Sequence, residues 1–324
     1  MKVADMHCDT ISELLRKERE GTPESLFENT LHMDLQRMKQ GDYAIQTFAM
    51  FVYQEATKHL YEECKAQYDL FTREMEKYKE FITWVCSADE IKKAMAEGKM
   101  AALLSIEEGE VCEGSLEKLK EFYTLGVRMM TLVWNFDNSL STSAVKSKLS
   151  VPRNYMGNRE GLTETGIEFV QCMEELGMIP DVSHMSDAGI EDLLQITRKP
   201  FAASHSNARS LCAHPRNLKD DFLRRMGDRG CLMGVNFYSN FLEKDAAISK
   251  TERIADHILY MTNLAGMESV GLGTDYDGID CPLEMSDCSK IQLLAEVLKK
   301  RGMTASQIEK IFYKNMLRFY EELL

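Results

Sequence analysis

The stretch Gly177-Met178-Ile179-Pro180-Asp181-Val182-Ser183-His184, followed by Phe201-Ala202-Ala203-Ser204-His205, decides how the chain is read. Each is a short apolar run that ends on a histidine. Neither shows the apolar/polar alternation of a strand with one wet face, so both read as strands covered on both sides. Residues 187–196 between them carry a helical pattern. The two histidines stand 21 residues apart, about one strand–helix unit. Parallel strands joined by such a crossover place their carboxyl ends, and so His184 and His205, on the same rim.

Working outward, the same alternation runs through the chain. Further strands are read at residues 3–7, 43–51, 100–106, 127–134, 231–237 and 269–275, which with 178–184 and 201–205 makes eight. Helical patterns fall at 116–125, 166–176, 220–225, 252–264 and 289–300. Residues 54–80 read as one long charged helix or two. Two helix starts carry capping boxes, Ser87 with Glu90 and Thr304 with Gln307. Eight strands alternating with helices predict an α/β fold, a closed (β/α)₈ TIM-like barrel. The alternative is an open doubly wound sheet, and the missing G-x-G-x-x-G turn after the first strand counts against it. A barrel of this kind commonly runs to about 250 residues or more, so residues 1–324 are read as one domain.

Composition narrows the partners. The formal net charge is −13, which argues against nucleic acid and anionic membranes, since both reward basic surface. The nine cysteines include no C-x-x-C pair and read as reduced, buried thiols of a cytoplasmic protein. Met1-Lys2-Val3-Ala4-Asp5 enters a strand at once and is not read as a signal peptide. No apolar run approaches the roughly 20 residues that span a bilayer.

In this barrel the reactive groups belong at the strand carboxyl ends. The first strand supplies His7-Cys8-Asp9, the third Glu107, the fifth His184, the sixth His205 and the eighth Asp275. Side chains repeat with period two along a strand, so His7 and Asp9 share a face. Imidazole with carboxylate suits zinc, and manganese less well. His184 and His205 on neighbouring strand ends can share a second metal. Glu107 can bridge two cations through its two oxygens. Singly, each feature has a plainer reading: a strand-end histidine is commonly a hydrogen-bonded core residue, and Asp275 with Asp277 can serve a turn before Gly278. Convergence of five strand ends favours metal chemistry. His32, His59 and His257 are read as structural or exposed, and His214 stays ambiguous.

The motifs Asp5-Met6-His7-Cys8-Asp9, Ile106-Glu107-Glu108-Gly109, Gly161-Leu162-Thr163-Glu164-Thr165-Gly166, Ser204-His205-Ser206, His214-Pro215-Arg216-Asn217 and Gly271-Leu272-Gly273-Thr274-Asp275-Tyr276-Asp277-Gly278, with the 177–184 stretch, resemble the membrane (renal) dipeptidase family of zinc peptidases, in its bacterial form. The resemblance covers nearly the whole chain. It implies a metallo-dependent hydrolase barrel, often a homodimer, that hydrolyses dipeptides, including some with a D-residue at the C-terminal position. It implies two zinc ions, one held by His7 and Asp9 and the other by His184 and His205, with Glu107 bridging. A hydroxide between the metals would attack, Asp275 would transfer the proton, and Arg216 would grip the dipeptide carboxylate. Asp181 or a backbone carbonyl is the candidate to orient His184.

Two positions depart from the family pattern. Trp134 stands where animal members carry a substrate-binding histidine, which makes Trp134 and Asn135 the candidate substrate contacts on that side. Glu108 stands where glycine is usual, and is expected either to add charge near the metals or to face solvent. Two other readings remain: a metal-dependent amidohydrolase acting on a lactone, cyclic amide or phosphoester, and a metal-free barrel that binds a small ligand.

Overall fold

The computed structural model describes residues 1–145 and 160–324. Its strands, in chain order, are β1 (Val3–Cys8), β2 (Tyr43–Phe51), β3 (Ile82–Trp84), β4 (Met100–Glu107), β5 (Val127–Thr131), β6 (Ile179–Asp181), β7 (Ala202–Ala203), β8 (Leu232–Val235) and β9 (Val270–Leu272). Neighbours run β2-β1-β9-β8-β7-β6-β5-β4, and β4 pairs back onto β2 from Ile45–Ala101 to Phe51–Glu107. All these pairings are parallel. Eight strands therefore close the predicted barrel.

The ninth strand, β3, was not read from the sequence. It pairs with Met100–Ala102 at the start of β4, while β5 takes Leu104–Glu107 on the same side. Three residues are too few to show a period. Residues 54–80 hold one helix, Leu60–Lys77.

Several strands are shorter than predicted. β5 stops at Thr131 rather than 134, β6 at Asp181 rather than 184, and β9 at Leu272 rather than 275. After β5 the apolar run continues through Leu132-Val133-Trp134, so composition alone overstates that strand, while β6 and β9 give way to Ser183-His184 and Gly273-Thr274-Asp275. The backbone instead turns inward, with His184 at φ 70° and Asp275 at φ 61°. Left-handed geometry is uncommon outside glycine and redirects a side chain within one residue.

Period two places Ala101, Leu103, Ser105 and Glu107 of β4 on one face. Leu103 lies in a buried cluster with Ile45, Met129, Ile179 and Leu232, onto which the C-terminal helix Asn315–Leu323 packs Met316, Phe319 and Tyr320. The Tyr320 hydroxyl reaches Thr47 Oγ1 at 2.8 Å inside this layer. One end of the barrel is thus filled with apolar side chains, and the polar residues gather at the strand carboxyl ends. The larger core lies between strands and surrounding helices.

Helix starts follow their caps. Thr304 and Gln307 form the full reciprocal box. Ser87 accepts from Glu90 N–H, but the Glu90 carboxylate takes the Cys86 N–H, one residue upstream of the expected partner. Among the described residues no helix is long and apolar enough to cross a membrane.

His257 lies on the helix Thr251–Ala265 and is 1% exposed. Its Nδ1 accepts from Ala208 N–H and its Nε2 donates to Leu242 O. Burial holds its pKa below the usual histidine value. The unfolded chain therefore takes up this proton first on acidification, so stability is present above about pH 6.5 and falls below it. The unfolding free energy of the parent in urea titrations should drop between pH 7 and 5 more steeply than that of His257→Gln, by at most about 1.4 kcal/mol per pH unit. Parallel curves would refute this.

Candidate functional site

β1 and β4 deliver His7 and Glu107 from within the ladder, and Asp9, His184, His205 and Asp275 follow just beyond strand ends. All six are buried. His184 Nε2 lies 2.9 Å and His205 Nε2 3.4 Å from Glu107 Oε1, and the two ring nitrogens are 2.9 Å apart. On the other carboxylate oxygen, His7 Nε2 lies 3.5 Å from Glu107 Oε2, 3.3 Å from Asp9 Oδ2 and 3.7 Å from Asp275 Oδ1. Glu107 thus stands between His184 and His205 on one side and His7 on the other.

The outer nitrogens of two rings are engaged. The Ser204 hydroxyl lies 2.7 Å from His205 Nδ1 and 2.5 Å from Asp181 Oδ2. Asp181 also accepts from Ser204 N–H, Ser183 N–H and the Thr131 hydroxyl. Asp181 therefore orients His205 through Ser204 and not His184, as the sequence suggested. His184 Nδ1 instead meets Asn135 Oδ1 at 2.8 Å. With both Nδ1 atoms as donors, each Nε2 presents a lone pair inward.

The electrostatics are those of a compressed group of charges. Burial would raise the Glu107 pKa, but the His7 charge, with the imidazoles of His184 and His205 close beside it, holds it well below the usual range. Burial opposes a charged His7, and Glu107 and Asp9 outweigh it, keeping the ring pKa high. Burial, the Arg216 charge and His7 hold His184 down to about 4. Burial, opposed by the His7 charge and aided by Asp9 and Glu107, pushes Asp275 up to about 8.

These residues fit divalent cations. Buried His7 Nε2 and Asp9 Oδ1 have no hydrogen-bond partner. Two sets, His7 with Glu107 and His205, and His7 with Asp9 and Asp275, each bring ligand atoms within 4.8 Å of one another. Three imidazoles and three carboxylates form a donor set suited to zinc, and second to manganese. The second set contains Asp275 as well as the expected His7 and Asp9.

Above the centre lies a cleft of about 430 Å³, lined by Phe51, Trp134, Asn135, His184, Tyr238, Phe241 and the acids Asp9, Glu107 and Asp275 among others. Trp134 packs against Phe51 at 4.8 Å and His184 at 5.8 Å between ring centroids. Arg216 is not in the lining. It is 4% exposed, with its guanidinium 5.3 Å from the Phe241 ring and its Nε unpartnered. Burial pulls its pKa down to about 10.

Asp277 is committed elsewhere. It accepts from the Thr10 hydroxyl and His32 N–H, and its own N–H donates to His32 Nδ1. His32 is thus structural, and His214 accepts from Arg216 N–H, bracing that loop. Glu108 does not face solvent, contrary to one of the two expectations. It is fully buried and accepts from Glu110 N–H, Asn138 Nδ2 and Trp134 N–H.

Two positions were missed. Asn236 Nδ2 donates to Asp275 Oδ2 at 2.8 Å. It follows β8 directly, and asking what that strand end contributes would have found it. A Cβ on Gly278 would lie 2.2 Å from Asp9 Oδ2 and 2.5 Å from Asp275 Oδ1, so only glycine fits there.

A parallel barrel with buried histidines and carboxylates clustered at its strand carboxyl ends defines a metal-dependent hydrolase. Comparison with known proteins makes this specific. The membrane dipeptidase family profile (peptidase family M19) matches residues 1–323, and the chain belongs to that family as a metal-dependent dipeptidase. It is 35% identical over 340 residues to an uncharacterized dipeptidase of Schizosaccharomyces pombe, covering 99% of this chain and 80% of that one. The solved metallopeptidase called dipeptidase AC aligns at 25% identity and TM-score 0.89, covering 100% of this chain and 98% of its own. A Rhodobacter sphaeroides metallopeptidase, liganded with a phosphinate mimic of L-Ala-D-Ala, shares the fold at TM-score 0.89 and 24% identity, covering 100% and 99%.

Proposed function

We propose that the chain is a two-zinc dipeptidase, with His7 and Asp9 holding one ion, His184 and His205 the other, and Glu107 bridging. The observation that carries this reading is the convergence of three imidazole Nε2 atoms on the two oxygens of one buried carboxylate. When bound, the ions supply Lewis acidity, lowering the pKa of water toward about 7 and polarising the peptide carbonyl.

The remaining work belongs to the chain. Asn236 occupies Asp275 Oδ2, leaving Oδ1, which faces His7, to take the proton of the attacking water. That oxygen then returns the proton to the departing amine nitrogen as the C–N bond breaks. Water is thereby divided between the new carboxylate and the free amine. The Arg216 guanidinium pairs with the C-terminal carboxylate of the dipeptide, which limits substrates to short peptides. Trp134 and Asn135 form the wall beside the scissile carbonyl. Both L,L- and L,D-dipeptides belong to the proposed range, and the protein is proposed to act as a cytoplasmic homodimer.

The test is a dipeptide library, L,L against L,D, with zinc and manganese measured on the same sample. Arg216→Ala should raise KM for free dipeptides about 10²-fold, since it removes a charge-assisted pair from a buried site, while leaving C-terminally amidated analogues nearly unaffected. Equal effects on both, or protein with no stoichiometric metal, would overturn the reading. A lactone or phosphoester substrate would be indifferent to Arg216.

A further inference from the structure

Glu108 and Trp134, the two departures from the family pattern, touch each other. Glu108 Oε2 accepts from Trp134 N–H at 3.1 Å, and Oε1 accepts from Asn138 Nδ2 at 2.6 Å and Glu110 N–H at 2.9 Å. Asn138 in turn organises the segment after β5. Its Nδ2 also donates to Leu132 O, and its Oδ1 accepts from Leu140 and Ser141 N–H. The turn held at both ends by Glu108 contains Asn135, whose Oδ1 meets His184 Nδ1 at 2.8 Å. It also presents Trp134, which packs 5.8 Å from the His184 ring.

The backbone makes Glu108 an expensive choice. Its φ is 96°, a region that favours glycine, so a non-glycine residue there is strained. A buried carboxylate adds a desolvation cost. Glycine would relieve both. What only the carboxylate supplies is three accepted N–H bonds, two of them from the turn that carries Trp134 and Asn135.

We propose that Glu108 is a positioning residue, a buried clamp that holds the Trp134–Asn138 turn so that Asn135 fixes the tautomer and angle of His184. This rests on the reading of His184 as a metal ligand. His205 is braced from inside the barrel by Ser204 and Asp181. His184 is braced from the cleft wall, so its orientation depends on the turn and, through it, on Glu108.

The experiment compares Glu108→Gly, Asn135→Ala and the double variant with the parent, in a Trp84→Phe background so that Trp134 is the sole indole. Glu108→Gly suits the left-handed backbone and keeps the fold, checked by circular dichroism and melting temperature. Zinc affinity is read by competition with a chromophoric chelator. We expect each single variant to weaken the tighter or the weaker zinc step about 10- to 100-fold, with the double variant no worse than the singles. Trp134 emission should shift to the red in Glu108→Gly, and kcat should fall more than KM rises. Parental zinc affinity and emission in Glu108→Gly would overturn the proposal, as would additive losses, which would mean that Glu108 acts by another route than Asn135. A parent that binds no zinc would instead refute the metal reading itself, so the two failures are distinguishable.

Discussion

Glu107→Gln should lower kcat/KM by about 10³–10⁴-fold, the equivalent of roughly 4–5.5 kcal/mol of transition-state stabilisation, and should reduce zinc content in the same preparation. The two amide positions of glutamine are unequal where the carboxylate oxygens were both acceptors. Oε1 of Glu107 faces His184 and His205, while Oε2 faces His7. Whichever position becomes NH₂ points a donor into a site that needs an acceptor. The substitution keeps shape and volume, and β4 pairs with both β2 and β5 at this residue, so the fold should persist. Loss of the negative charge also removes from buried His7 one of its close counter-charges, leaving Asp9 at 3.3 Å. Full turnover in this variant, with parental zinc content, would end the two-metal reading.

The same residues show why the barrel was legible and parts of the site were not. Strand–helix alternation repeats through the whole chain, so even several misjudged strand ends left the architecture intact. Glu107 closes the regular β2–β4 ladder, where period two fixes its facing, whereas His7 lies on β1 where the register with β2 breaks between Asp5 and Cys8. His184 and Asp275 lie past the ladder at positive φ, and period two says nothing about them. The shared end of the barrel and the family motifs pointed to them. The bracing contacts were less legible still. The bonds from Ser204 to Asp181, from Asn138 to Glu108 and from Asn236 to Asp275 span 23, 30 and 39 residues, and no local pattern marks such pairs. Glu108 illustrates the limit. A second acid beside Glu107 reads as spare charge, yet its surroundings are backbone N–H groups and an amide, visible only once β4 and the segment after β5 are side by side.

Asp275→Asn should lower kcat for peptide hydrolysis by about 10²–10⁴-fold while zinc content stays at the parental level. Asparagine is one of the few residues that tolerate the left-handed φ of 61° at this position, and it can still accept from Asn236 Nδ2, so the geometry should survive. What it cannot do is take a proton from water or return one to an amine. Metal analysis matters here because Asp275 Oδ1 also falls within the ligand-like set formed with His7 and Asp9. Loss of one zinc would mark Asp275 as a ligand rather than a proton carrier. A second substrate separates the two directions of transfer. In an ester analogue of the dipeptide the leaving group is an alkoxide, which departs with far less need of protonation than an amine anion. If the main task of Asp275 is to protonate the leaving nitrogen, the variant should lose much less activity on the ester than on the peptide. Equal losses would place its contribution in accepting the proton of the attacking water, a step common to both substrates, and unchanged peptide turnover would remove Asp275 from the reaction.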